Sequence, residues 1–338
     1  MNQNDIILVT GGCGFIGSNF ILRCIQIGCK RLINLDLLTY AARKENLRKI
    51  TSAKNYQFIH GDINDAKLVS ELLDKYRPNI IIHFAAETHV DRSIRNANTF
   101  ITTNINGTYN LLQQSKIYWE KLAPKDQKEF KFIHVSTDEV YGSLKSSDKP
   151  FTETSSYLPN SPYAASKAAS NHLVRAWYRT YKFPAIITCC SNNYGPYQHK
   201  EKLLPMIITH VLSKKLIPIY GDGKNIRDWL HVSDHCNALL TLIDKGKIGE
   251  TYNIGGDNEI TNIEFVNVVC ATLDGELDNK NNPYNKLIYF TKDRPGHDFR
   301  YAIDSTKIKQ DLNWNPQVSF KDGILSTIKS YLSDKDYL

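Results

Sequence analysis

Short apolar, β-branched runs alternate with helical apolar spacings through the first half of the chain. Residues 6–9 are apolar and close on a glycine-rich turn, after which 15–27 repeats its apolar positions at helical intervals. Further runs occupy 31–36, ending on Asp36, and 56–60, ending at Gly61 and Asp62; three more lie at 80–84, 132–136 and 185–188. Runs that are apolar throughout, rather than alternately, belong to strands covered on both faces. With helical stretches between them they predict a doubly wound parallel α/β sheet over 1–194. Beyond Tyr194 the rhythm loosens into shorter, turn-rich pieces, which predicts a smaller α/β domain in 195–338, with the segment near 228–248 returning to the first. The Lys-rich piece 121–131 is expected as an exposed loop.

Composition narrows the class. The 338 residues are 41% hydrophobic and 23% charged with abundant aromatics, which excludes a disordered chain. The most apolar run, 80–86, is far short of the roughly 20 residues that span a bilayer, and the first residues have neither basic start nor apolar core, so a cytoplasmic location without membrane contact is expected. The seven cysteines include no C-x-x-C pair and read as free thiols; no metal site is expected. The net charge of +7 is spread along the chain rather than gathered into one arm, so no nucleic-acid partner is expected. Lys200, Lys202, Lys214, Lys215, Lys224 and Arg227 make one basic stretch, either a solvated surface or a site for a phosphorylated small molecule.

The turn after the first run reads Thr10-Gly11-Gly12-Cys13-Gly14-Phe15-Ile16-Gly17. Gly11, Gly14 and Gly17 suit, in turn, a tight turn, the approach of backbone to a pyrophosphate and close helix–strand packing, while the helix start offers unpaired N–H groups. Asp36, at the end of the next strand, is placed to accept from the adenosine ribose hydroxyls and would repel a 2′-phosphate. Together these predict a Rossmann-type domain holding NAD rather than NADP. Asp62 is either an adenine neighbour or a helix cap. Farther on, Tyr163 and Lys167 lie one helical turn apart. A phenol beside an ammonium and a cationic nicotinamide has its phenolate favoured, which suits a general base.

With the hydroxyl-rich strand end Ser136-Thr137, this combination resembles the extended short-chain dehydrogenase/reductase family over nearly the whole chain. Within it, Thr137-Asp138-Glu139 resembles the active-site tripeptide of the dTDP-glucose 4,6-dehydratases, as do the blocks at 85–94, 191–198, 227–232 and 293–298. The resemblance implies removal of water across C5 and C6 of a nucleotide-linked hexose. Tyr163 would take the C4 hydroxyl proton as hydride passes to NAD, with Lys167 keeping the phenolate available and Thr137 orienting the C4 oxygen. Glu139 would take the C5 proton, made acidic by the C4 ketone, and a protonated Asp138 would donate to the departing C6 hydroxyl. Adjacent carboxyls in opposite protonation states require one raised pKa.

The resemblance also implies NAD contacts at Leu37, Thr39, Ile63, Phe84, Ala85, Ala86, Thr103 and Asn193. Substrate contacts are implied at Thr88, Thr137, Asn192, Lys202, Leu203, Pro218, Ile219, Tyr220, Arg227, Asn262, Asp293, Arg294, Pro295, Gly296 and His297, with Arg227 and Arg294 suited to a diphosphate. The chain departs from the family where Cys189, His199-Lys200 and Ala97 stand. Another nucleotide-sugar dehydratase, a 4-epimerase, or a silent NAD-binding scaffold are the alternative readings. A homodimer with a four-helix interface is expected, carried by Leu173, Trp177 and Tyr181 on one helix and Tyr109, Leu112 and Trp119 on another; ordinary core packing is the other reading of these residues.

Overall fold

A computed structural model describes residues 2–279 and 281–334; Met1, Lys280 and 335–338, at and within the expected domain limits, lie outside the described residues. The first strands are β1 (Ile6–Thr10), β2 (Arg31–Asp36), β3 (Tyr56–His60), β4 (Ile80–His83), β5 (Lys131–Thr137) and β6 (Ala185–Cys190). They are followed by β7 (Asn192–Tyr194), β8 (Ile217–Tyr220), β9 (Ile226–His231), β10 (Thr251–Ile254), β11 (Glu259–Thr261) and β12 (Ile288–Thr291). Seven of them form one parallel sheet in the order β10-β6-β5-β4-β1-β2-β3. The order reverses between β1 and β4, and in such sheets the crevice beyond the carboxyl ends at that point receives the ligand.

The sheet is buried on both faces because successive side chains point to opposite sides. Ile7 and Val9 pack with Phe20, Ile82, Ile133 and Ile186 in one core, whereas Leu8 packs with Ile33, Ile81, Phe132 and Ile187 in the other. Cys189 and Cys190 divide between the two cores for the same reason. A third core, around Leu204, Ile207, Trp229, Phe265, Val266 and Ile324, underlies the three-stranded sheet β11-β9-β7. Helix Val232–Lys245 packs on the first core through Cys236, Leu239 and Leu242.

Three local expectations are corrected. β10, read as part of the second domain, completes the main sheet beside β6. Its polar Asn253 is legible only in the fold, where Oδ1 accepts from the Tyr141 hydroxyl at 2.9 Å. Within 121–131, Pro124–Glu129 is a helix with proline in its first turn and no buried residue, so no apolar stripe announces it. Leu112 is fully buried in the sheet core and not available to a partner chain, while Trp119 packs half-buried on the same core.

Candidate active site

A cavity of about 280 Å³ runs across the carboxyl ends of the sheet, from the tips of β1 and β2 to that of β5. Every residue expected to contact the dinucleotide lines it: Gly11, Gly14, Phe15, Ile16, Gly17, Asp36, Leu37, Thr39, Asp62, Ile63, Phe84, Ala85, Ala86, Thr103, Tyr163, Lys167 and Asn193. Gly11 has φ +72°, and a Cβ there would stand 2.6 Å from the Ala85 nitrogen. A Cβ on Gly17 would stand 2.4 Å from the Gly11 carbonyl oxygen, so glycine is what lets the helix Phe15–Ile27 seat against β1. That helix begins at Gly14 with no side-chain cap, leaving its first N–H groups open to an anion.

Asp36 does more than end β2. Its Oδ2 accepts from the Cys13 N–H and its Oδ1 from the Leu38 N–H, both at 2.8 Å, so the carboxylate also ties down the glycine turn. Burial raises its pKa and these two bonds oppose the rise. Asp62 is not a helix cap: its Oδ1 accepts from the Asn64 N–H at 2.8 Å, and Asp65 caps the helix Ala66–Tyr76 instead.

Three of the residues expected to react meet where β5 gives way to a single tight turn. Thr137 ends the strand and its Oγ1 accepts from the Glu139 N–H at 3.3 Å. Asp138 is only 2% exposed, and among the described residues its buried Oδ2 has no hydrogen-bond partner. Burial first, then the negative charges of Glu139 and Asp228, push its carboxyl well above the usual range. Burial raises Glu139 as well, but Lys202, Arg294 and Arg227 pull it back down. Both carboxyls are raised, Asp138 well above its ordinary value and Glu139 less so because cations oppose its burial, which makes Asp138 the one of the pair that holds the proton.

Tyr163 and Lys167 stand on the helix Pro162–Tyr181, whose start is fixed by Pro162 and by Ser161, the Oγ of which accepts from the Ala164 N–H at 3.1 Å. Lys167 does not bond the phenol; its Nζ donates to the Val135 carbonyl at 2.8 Å, and burial lowers its pKa to about 8. The phenolate expected beside an ammonium and a cationic nicotinamide thus gains no direct bond from the lysine. Burial, then Glu139, drive the Tyr163 phenol well above its ordinary value, and the Thr137 hydroxyl opposes them.

Of the expected substrate residues, Thr88, Thr137, Asn192 and Lys202 line the cavity, and Lys202 Nζ donates to the Thr88 carbonyl at 3.3 Å. Leu203, Pro218, Ile219, Tyr220, Arg227, Asn262, Asp293, Arg294, Pro295, Gly296 and His297 lie outside that lining. The Ile219 side chain is buried in the third core and Leu203 packs against it. Arg227 is 5% exposed, donates to the carbonyls of Ile226, Asp298 and Phe299, and lies 4.3 Å over the Tyr301 ring. Arg294 and Tyr220 converge on Asp91, at 3.8 and 3.1 Å.

The cavity also includes residues that sequence reasoning missed, among them Tyr40, Glu87, His89, Ser136, Cys190, Gln198 and His199. The Arg92 guanidinium lies 3.8 Å over Tyr40 and donates to Glu201 at 2.5 Å, which draws 199–202 across the cavity mouth. Asn104, outside the lining, accepts from the Glu87 N–H at 2.8 Å and donates to Ser166 Oγ at 2.8 Å, joining the cavity wall to the Tyr163 helix. No local motif announces such long-range pairings.

A doubly wound sheet with an uncapped glycine turn, a carboxylate ending β2, and a Tyr–Lys helix beside a Thr-Asp-Glu turn defines an extended short-chain dehydrogenase/reductase. A model of the family described as GDP-mannose 4,6 dehydratase matches residues 8–327, and the chain belongs to this family; relatives about 50% identical over nearly the whole chain are dTDP-glucose 4,6-dehydratases. It is 49% identical to the dTDP-glucose 4,6-dehydratase of Xanthomonas campestris pv. campestris, with 98% of this chain and 94% of that one covered. It is 51% identical to that of Haemophilus influenzae, with 96% and 97% covered. Among solved structures, the Streptomyces venezuelae dTDP-glucose 4,6-dehydratase with NAD and TYD bound superposes with a TM-score of 0.89 at 42% identity, covering 98% of each chain. A Thermotoga maritima UDP-glucose 4-epimerase shares the scaffold at 28% identity and a TM-score of 0.84, covering 97% of this chain and 98% of that one.

Proposed function

We propose that the chain is an NAD-dependent hydro-lyase that converts dTDP-glucose to dTDP-4-keto-6-deoxyglucose. The observation that carries this reading is the split carboxyl pair, Asp138 sealed toward its acid form and Glu139 facing Lys202, Arg294 and Arg227. A 4-epimerase has no elimination to catalyse and no need of such a pair.

The cavity fits a dinucleotide. The cradle between Gly11 and Gly17 is one that a Cβ would fill, the helix start is uncapped, and Asp36 stands at the far end. Bound NAD supplies the hydride acceptor for C4 and the hydride donor for C6. Tyr163, whose phenol burial and Glu139 drive upward, would take the C4 hydroxyl proton as the phenolate that a neighbouring nicotinamide cation favours, and the Thr137 hydroxyl would orient the C4 oxygen. Lys167, held on the Val135 carbonyl, brings a positive charge beneath this step. Glu139 takes the C5 proton and Asp138 gives its proton to the leaving C6 hydroxyl, so that water departs and the two carboxyls exchange protonation states. Lys202 in the cavity wall, with Arg294 and Arg227 outside its lining, favours the Glu139 carboxylate against the burial that raises its pKa.

In this reading 1–194 with the returning 228–248 is the cofactor domain, and most of 195–338 binds the nucleotide sugar. Among the described residues no helix is long and apolar enough to cross a membrane, and we place the enzyme in the cytoplasm. We also infer a homodimer through the helices Thr108–Glu120 and Pro162–Tyr181. Tyr109 and Tyr181 are 49% and 44% exposed there, both in edge contact with Trp177. Sedimentation at micromolar concentration is expected to give twice the chain mass, and a species of single mass overturns this inference. For the activity, purified protein loaded with NAD is offered dTDP-, UDP- and CDP-glucose. An alkali-induced enone absorbance with dTDP-glucose, confirmed by mass spectrometry as loss of water, is the expected result; product from none of the three overturns the function.

A further inference from the structure

His235 lies on the returning helix Val232–Lys245, fully buried, and has no part in the chemistry above. Its Nδ1 is 2.9 Å from Asn193 Oδ1. An amide oxygen only accepts, so the imidazole must donate and the proton sits on Nδ1. Nε2 then carries a lone pair, and among the described residues that atom is buried without a partner. A buried acceptor left unpaired is costly, so the ring's place in the fold is explained by what Nδ1 does rather than by what Nε2 lacks. Burial lowers the pKa of the ring to about 3, so it stays neutral, with its donor in place, throughout the working range of pH.

The Asn193 amide is held at its other end too. Its Nδ2 donates to the Ser191 carbonyl at 2.9 Å. Its backbone is paired with Leu230 across β7 and β9, and its carbonyl accepts from Gln198 Nε2 at 2.9 Å. The side chain so fixed lines the cavity, and a flipped amide would set an N–H against the His235 N–H. We propose that His235 is a positioning residue for the dehydratase reaction: its Nδ1–H locks the Asn193 amide in one orientation, and through it the reactive end of the bound dinucleotide. This rests on the reading of Asn193 as a cofactor contact.

The test uses the full chain with a double-mutant cycle of His235→Leu and Asn193→Ala, reading the Kd for NAD, kcat and KM for dTDP-glucose, and Tm. His235→Leu is expected to weaken NAD binding and lower kcat by on the order of tenfold each while KM for the sugar nucleotide stays put, the size set by one lost buried hydrogen bond. In the Asn193→Ala background the same substitution is expected to add nothing, and His235→Gln, which keeps a donor, is expected to recover most of the loss. A lowered Tm with unchanged Kd and kcat, or full additivity in the cycle, overturns the proposal alone. An Asn193→Ala variant with normal NAD binding and turnover removes the cofactor reading of Asn193 and the proposal with it. Should leucine prevent folding, long-range 1H–15N spectra of the unsubstituted protein decide the matter. An Nδ1-protonated, pH-invariant His235 is expected, and an Nε2-protonated ring overturns the proposal.

Discussion

At the scale of single residues, the site is governed by burial more than by spacing. The i, i+4 relation singles out Tyr163 and Lys167 and suggests a direct electrostatic partnership, whereas the lysine is held by a strand carbonyl. The tripeptide shows which carboxyls are present, and only the fold shows that Asp138 is sealed while Glu139 faces cations. Asp138→Asn is therefore expected to spare C4 oxidation and slow elimination by about 10²–10⁴-fold, the usual worth of a positioned acid. Reduced nicotinamide should accumulate on the enzyme after mixing with dTDP-glucose; loss of that first absorbance change would show that Asp138 serves the oxidation instead. The pH profile follows from the same groups. Glu139 must be ionised, so kcat/KM rises with pH through its raised pKa, and Lys167 loses its charge as pH rises through about 8, which gives a falling limb. Lys167→Arg keeps the charge at higher pH. The limb should move upward in whatever activity that variant retains, and an unshifted limb would assign it to Asp138.

At the scale of elements, what the pattern revealed and what it hid have one cause. β1, β4 and β5 are apolar on both faces because both faces are covered, so their sequence alone identifies them. β10 has an asparagine, satisfied by Tyr141, between its buried Tyr252 and Ile254, which breaks the apolar run, and Pro124–Glu129 buries nothing and has no apolar signal to read. The glycine turn was legible because its requirement is local and steric. Gly17→Ala places a methyl 2.4 Å from the Gly11 carbonyl oxygen and 2.8 Å from the Gly12 Cα, both backbone atoms that cannot swing aside. The helix start must then move off β1, and the pyrophosphate cradle widens. Expected are protein purified without its dinucleotide, an NAD Kd raised at least about tenfold, and a Tm lowered by several degrees, since overpacking of this kind costs about 1–3 kcal/mol. Normal NAD retention would mean that the turn tolerates a side chain and that the cradle is not where the cofactor binds.

For the whole molecule, the sealed histidines couple the fold to pH. His83 stands on β4 beside β5, 1% exposed, with Nδ1 2.7 Å from Thr10 Oγ1 and Nε2 2.9 Å from Thr108 Oγ1. Burial, assisted by the Lys167 charge, lowers its pKa to about 3. His134, its neighbour across the sheet, is likewise fully buried and driven well below its ordinary value. In the unfolded chain both titrate near 6.5, so between 6.5 and about 3 the unfolded state binds protons that the folded state refuses. Their contribution to stability is thus intact above 6.5 and is lost progressively as pH falls through that window. Raised carboxyls such as Asp138 act in the opposite direction, because there the folded state holds the extra proton, and the net slope alone cannot separate the two. A substitution can. His83→Asn keeps a group able to bond the threonines but cannot take up a proton, so urea unfolding from about pH 6 to 4 should show a pH dependence shallower than the unsubstituted protein's by one proton, about 1.4 kcal/mol per pH unit. The variant is less stable at neutral pH and loses less on acidification, so the two stability curves converge. Parallel curves would mean that His83 is protonated within the fold, and that the cation beneath the Tyr163 helix does not keep this ring neutral.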